Sequence, residues 1–164
     1  FLFKIIVDKK IFYCIIVTMT FFEVKMFEIA KVISKCRKAG LKLTPQRLAI
    51  FKILENNTSH PTVESIYNSL RKDYPTMSLT TVYNTLETLF KIGEVVKLDI
   101  DSDKAHFDPN TNPHHHFLCT HCGKIEDVMA DFSEVLHNET VKEKLFKIQD
   151  YNINFRGICL VCSR

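Results

Sequence analysis

From Phe27 to Ala39 the apolar positions Ile29, Val32, Ile33 and Cys36 recur on one helical face, and Gly40 supplies the stop. Thr44-Pro45 reads as an N-cap followed by proline at the first helical position, where the missing N–H costs nothing. The helix it opens turns Leu48, Phe51 and Leu54 inward and ends near Asn56-Asn57. His60-Pro61-Thr62 starts a third helix with Val63, Ile66, Tyr67 and Leu70 at i, i+3, i+4 and i+7, closed by Tyr74-Pro75. Ser78 or Thr80 caps a fourth, predicted to bury Leu79, Val82, Leu86 and Leu89 and to stop at Gly93. The period then changes. Val96, Leu98 and Ile100 alternate with polar residues, Asp101–Lys104 turns, and His106-Phe107-Asp108 returns as a second strand.

Helices followed by a hairpin predict a winged helix-turn-helix, with the last helix as the reader of a DNA major groove. Its outer face is expected to carry Thr80, Thr81, Asn84, Thr85, Thr88 and Lys91, with Tyr83 beside them. Short hydroxyls and an amide reach phosphates and base edges without bulk. Periodicity leaves a rival open, a helical bundle whose solvated face happens to be rich in threonine. Further on, Phe117-Leu118 and Ile153–Ile158 read as strands, so the fold class is α+β.

Composition narrows the class. Of 164 residues 46% are apolar and 25% charged, with 4 Gly and 5 Pro, which excludes disordered, collagenous and low-complexity chains. The net charge of +3 is mild, but it is unevenly spread. Residues 26–99 carry 11 Lys and Arg against 7 Asp and Glu, whereas residues 100–164 carry 7 against 10. A basic half suits an anionic partner and an acidic half suits cations. The apolar opening, residues 1–25, is broken by Asp8-Lys9-Lys10, and its run Ile11–Phe22 is too short to cross a bilayer. It is expected to be non-native or upstream leader sequence, with translation starting at Met26 or Met19, and no membrane partner is expected.

Two groups of residues carry chemistry. Cys119/Cys122 and Cys159/Cys162 are Cys-x-x-Cys pairs separated by 36 residues, each able to chelate one edge of a tetrahedron, with Gly123 and Gly157 beside them for tight turns. No helix obviously starts at either pair, which favours structural Zn(II) over two redox disulfides. Cys36 reads as core packing. The second group comprises Asp108, His114, His115, His116, His121, Glu126 and Asp127, all within twenty residues. A strand from His114 to Cys119 would put His114 and His116 on one face and His115 on the other. Two imidazoles and nearby carboxylates suit Fe(II), Mn(II) or Zn(II), although three histidines in a row also fit a solvated loop. His121 is expected to shape the cysteine turn.

Together these motifs resemble the ferric uptake regulator family. They are Thr44-Pro45-Gln46-Arg47, His60-Pro61-Thr62, Ser78-x-x-Thr81-Val82-Tyr83-Asn84, His114-x-His116-x-x-Cys119-x-x-Cys122-Gly123-Lys124 and Cys159-x-x-Cys162. The resemblance implies a cytoplasmic homodimeric repressor of palindromic double-stranded operator DNA. It would comprise a winged-helix domain at residues 26–108, a hinge near 100–110 and a zinc-stabilised α/β dimerisation domain at 109–164. It further implies zinc on Cys119, Cys122, Cys159 and Cys162, and a regulatory Fe(II) or Mn(II) on His60, Asp108, His114, His116 and Asp127. DNA contacts would come from Arg47, Thr80, Thr81, Tyr83 and Asn84.

Aspartates at 108 and 127 resemble the peroxide-sensing branch, whereas iron sensors usually carry glutamate at both places. That branch implies oxidation of His60 or His114 when iron meets hydrogen peroxide, and Mn(II) as an inert substitute. An iron- or zinc-responsive repressor is the alternative. A glutamate lies one residue away, at Glu126, and the spacing from Cys122-Gly123-Lys124 favours Asp127. Some members hold another metal with a histidine shortly before the second cysteine pair, where this chain has Tyr151, so no such complete site is expected. His115 and His137 have no assigned role, and His106 is placed on the wing. The chain is not expected to be an enzyme. A zinc hydrolase would need a motif such as His-Glu-x-x-His, and a thiol oxidoreductase would need a low-pKa cysteine with reversible chemistry.

Overall fold

The computed structural model describes residues 27–133 and 150–164; residues 1–26, with the expected leader, and His137 lie outside them. Among the described residues four helices come first: α1 (Ile29–Lys38), α2 (Pro45–Leu54), α3 (Val63–Leu70) and α4 (Leu79–Lys91). Three of their starts are fixed by side-chain caps. Thr44 accepts from the Arg47 N–H, Ser78 accepts from the Thr81 N–H, and Thr62 and Ser65 form a reciprocal capping box. The helices enclose one apolar core around Val32, Ile50, Phe51, Leu54, Ile66, Val82, Leu86 and Leu89.

On α4 the buried residues are Val82, Thr85, Leu86 and Leu89, which corrects the expected faces at two positions. Thr85 turns inward, fully buried, because its hydroxyl donates to the Thr81 carbonyl at 2.6 Å and its methyl can then pack. Leu79 is 46% exposed, because at the first helical position it stands beyond the end of the core. A further link between elements is the ion pair of Lys35 on α1 with the buried Glu94.

The hairpin follows as β1 (Val96–Leu98) and β2 (His106–Asp108), antiparallel, with Val96 opposite Asp108 and Leu98 opposite His106. Beyond it a second sheet has the order β4-β3-β5. In it β3 (His115–Cys119) lies antiparallel to β4 (Ile125–Val128) and parallel to β5 (Asn154–Gly157). Leu98 and Ile100 leave the hairpin to pack with Leu118 and Ile125, so a small apolar cluster joins the wing to the second sheet. Arg156 on β5 adds a hydrogen bond to the Ile100 carbonyl. The result is the α+β arrangement expected, a helical bundle with a wing followed by a β-sheet region.

Phe51, fully buried at the centre of the helical core, is the main test of this packing. Phe51→Ala is expected to destabilise the fold by about 3–5 kcal/mol, whereas loss of the Ser78 cap by Ser78→Ala costs about 1 kcal/mol. Urea unfolding of the two variants checks the contrast.

Candidate metal centre

The strand pairs bring the two cysteine pairs together at one end of the second sheet. Cys119 ends β3, Cys122 lies in the turn to β4, and Cys159 and Cys162 follow β5. Cys122 Sγ lies 3.9 Å from Cys159 Sγ, and each of the four residues offers a sulfur within 4.8 Å of the others. Gly123 makes the turn with φ 72°. Gly157 serves a different purpose from the one expected: its φ is not left-handed, but a Cβ there would stand 3.3 Å from the Phe117 ring. Main-chain N–H groups of Cys122, Cys159 and His121 draw the Cys119 thiol down to about 6. The sulfurs of Cys159 and Cys122 push Cys162 up to about 12, because four thiols facing one another cannot all ionise without a cation. This is a four-cysteine group of the structural zinc type.

The second cluster assembles residues from across the chain. His60 precedes α3, Asp108 ends β2, His114 and His116 stand at the start of β3, and Asp127 lies on β4 opposite His116. His114 enters just before the strand, yet the expected alternation holds. His114 Nε2 is 3.0 Å and His116 Nε2 is 3.4 Å from Asp108 Oδ2, while His115 points the other way. His60 Nε2 is 2.7 Å from Asp127 Oδ1 and 3.9 Å from Asp108 Oδ2. One donor atom from each of the five lies within 4.8 Å of the others. Glu126 is exposed and pairs with Lys124 at 2.6 Å, so Asp127 and not Glu126 faces the cluster.

Burial makes this grouping costly unless a cation joins it. His60, Asp108 and His116 are each about 1% exposed, and His114 is 7% exposed. The Nε2 atoms of His60 and His114 and Oδ1 of Asp127 are buried without an aligned hydrogen bond. Such groups fit a divalent metal, which would accept the lone pairs that now face one another. Burial lowers the His60 imidazole below its usual range, against the pull of Asp108 and Asp127. Burial also works to raise the Asp108 carboxyl, but the His114 and His116 imidazoles beside it and a hydrogen bond from the Asn110 N–H hold it well below the usual range. A cavity of about 280 Å³, lined in part by Asn110, Asn112 and Asn152, opens beside Asp108, His114 and His116.

The remaining histidines have other tasks. His115 is buried, accepts from the Ile153 N–H at 3.2 Å, and lies against Phe132 and Tyr151. Tyr151 donates from its hydroxyl to Asp131 at 3.1 Å. His121 is exposed on the cysteine turn. On the helical side, Thr80, Tyr83 and Asn84 are exposed along α4, and Thr81 is half-buried with its hydroxyl 3.0 Å from that of Ser78. Arg47 is half-buried, its guanidinium bonded to the Lys42 carbonyl. Exposed Leu79 joins Tyr83 around a cavity of about 370 Å³ between α4 and the wing turn at Asp103 and Lys104. Sequence reasoning missed Leu79 on this surface.

A profile of the ferric uptake regulator family matches residues 38–156. The chain belongs to the ferric uptake regulator family. Family members are regulators of transcription rather than enzymes, and the two donor clusters are those of a metal-dependent repressor of this family. A peroxide-responsive repressor, PerR, of Staphylococcus aureus is 34% identical over 138 residues, spanning 83% of this chain and 92% of that protein. Among solved structures, the ferric uptake regulator of Helicobacter pylori, described as having three functional metal binding sites, superposes with a TM-score of 0.73. It is 25% identical and covers 85% of this chain and 97% of its own. The Vibrio cholerae ferric uptake regulator superposes with a TM-score of 0.64 at 25% identity, covering 77% of this chain and 98% of its own. No helix among the described residues is long and apolar enough to cross a membrane.

If the four thiolates hold one metal, Cys162→Ser is expected to reduce zinc from one ion per chain to near none and to cost several kcal/mol of stability. Elemental analysis with thermal melting checks this, and a zinc-free variant that melts like the parent contradicts it.

Proposed function

We propose that this chain is a cytoplasmic, dimeric, metal-dependent repressor of palindromic operator DNA that senses hydrogen peroxide. Zinc would sit on Cys119, Cys122, Cys159 and Cys162, and the regulatory Fe(II) or Mn(II) on His60, Asp108, His114, His116 and Asp127. The observation that carries the reading is the meeting of four buried donors with the half-buried Asp127, three imidazoles and two aspartates in all, with no sulfur among them. Hard oxygen and borderline nitrogen donors suit Fe(II) and Mn(II), and the absence of thiolate removes the preference for zinc. The 34% identity to a peroxide-responsive repressor supports the branch.

His60 is the one donor that comes from before the wing. In this reading residues 26–108 form the DNA-binding domain, residues 109–164 the dimerisation domain, and residues 100–110 the hinge. His60 holds the first to the second whenever the metal is bound, fixing two winged helices at the spacing of a palindromic site. Thr80, Thr81, Tyr83 and Asn84 would face the groove from α4, with Arg47 on the phosphate backbone.

Fe(II), when bound, would lend an electron to the peroxide O–O bond and regain one from the oxidised histidine ring. The net change at the ligand is insertion of one peroxide oxygen into the C2–H bond of His60 or His114, with the second oxygen leaving as water. The 2-oxo ring is a poorer ligand, and its loss frees the DNA-binding domain. The cavity beside His114 gives a small oxidant its approach.

Brief micromolar peroxide treatment of the Fe(II)-loaded protein is expected to add 16 Da to the peptide carrying His60 or His114, and to leave the Mn(II)-loaded protein unchanged. Peptide mass spectrometry reads the outcome. Unmodified peptides from the iron form, with metal-dependent DNA binding intact, would favour an iron- or zinc-responsive repressor instead.

A further inference from the structure

His106 belongs to neither donor cluster, yet it is buried and holds the main chain of a cluster member. On β2 it stands two positions before Asp108, so the pleat directs both side chains to the same face. Its Nδ1 donates to the main-chain carbonyl of His60 at 2.8 Å, and its Nε2 lies 3.3 Å from Asp101 Oδ2 in the wing turn. The same stretch is tied once more, through an isolated antiparallel bridge and its hydrogen bond. Thr62 forms an antiparallel bridge with His106, and in it the Phe107 N–H donates to the Pro61 carbonyl at 3.0 Å. Within these ties His60 keeps a φ of 51°, left-handed backbone that a residue other than glycine seldom adopts. Such a conformation persists where the surroundings hold it.

We propose that His106 is a positioning residue that couples the regulatory metal to the wing turn. It fixes the His60 main chain in the conformation that delivers the imidazole to the cluster, and it ties that conformation to Asp101. The inference rests on the reading of His60 as a regulatory ligand. Whatever holds His60 in place then also holds the turn Asp101–Lys104, which stands beside Leu79 and Tyr83 on the α4 surface. Coupling of this kind is reciprocal: a wing held on DNA favours metal binding by the same factor that metal favours the wing. The signal so carried is local, and it is additional to any change at the hinge.

The test uses the full chain with its zinc in place and Mn(II) as the probe. His106→Phe keeps a ring and removes both polar links. It is expected to weaken Mn(II) binding about tenfold by calorimetry. His106→Asn, whose amide can replace the Nδ1 donor, is expected to bind within about threefold of the parent. In the metal-free protein, amide exchange of Phe107 is expected to quicken in His106→Phe while that of Leu118 stays unchanged. Equal Mn(II) affinity of His106→Phe and the parent would overturn the proposal, as would an Asn variant no better than the Phe variant. If His106→Phe does not fold, Asp101→Ala carries the test, with weakened Mn(II) binding expected and unchanged binding overturning the coupling. A parent protein that binds no Mn(II) would instead overturn the reading of His60 as a ligand, so the two failures are separable.

Discussion

Five electron-rich atoms held within 4.8 Å of one another in the interior are the constraint that organises this structure. Buried polar atoms need partners, and here the partners of three imidazoles are two carboxylates crowded into the same space. The group is tolerable only if something positive joins it. The fold supplies the five from four separate places: the approach to α3, the end of β2, the start of β3 and the middle of β4. A cation at their centre therefore does more than satisfy lone pairs. It would join the helical half to the sheet half, which otherwise meet through a small apolar cluster around Leu98, Ile100, Leu118 and Ile125 and the Arg156 hydrogen bond to the Ile100 carbonyl.

The two donor clusters divide the work by chemistry. Four sulfurs at the far end of the β4-β3-β5 sheet close the chain around itself, since Cys119 and Cys122 flank one turn and Cys159 and Cys162 follow β5. A closed tetrahedron of thiolates binds tightly and contributes folding energy outright. The nitrogen and oxygen cluster has softer consequences. Its donors lie beside a cavity and include one residue from another part of the fold, features suited to a metal whose presence must be reversible. Separation by donor type would keep two such metals from exchanging places.

Much of this was legible in the sequence because it depends on local rules. Caps at Thr44, Thr62 and Ser78, proline at the start of α2 and the alternation from Val96 to Ile100 all act within a few residues of themselves. The cysteine pairs and the paired facing of His114 and His116 follow from spacing along a strand. What could not be read depends on where an element ends against its neighbours. Leu79 has the helical spacing of a core residue, but the core stops short of it. Thr85 looks like an outward hydroxyl until that hydroxyl is seen to donate to the Thr81 carbonyl. His106 carried one usable signal, its position two residues before Asp108, although the carbonyl it holds lies 46 residues earlier in the chain. Gly157 read as a turn glycine, while its real neighbour is the Phe117 ring on the adjacent strand.

In this reading one metal holds both halves at once, through His60 on one side and Asp127 on the other. Hydrogen exchange of the zinc-loaded protein, with and without Mn(II), reads that bridge on both sides in a single experiment. Mn(II) is expected to slow exchange together in the segment Ser59–Val63 and in β4, and His60→Ala to keep protection in β4 while losing it around position 60. Protection confined to the sheet in the parent protein, with Ser59–Val63 unchanged, would refute the bridge.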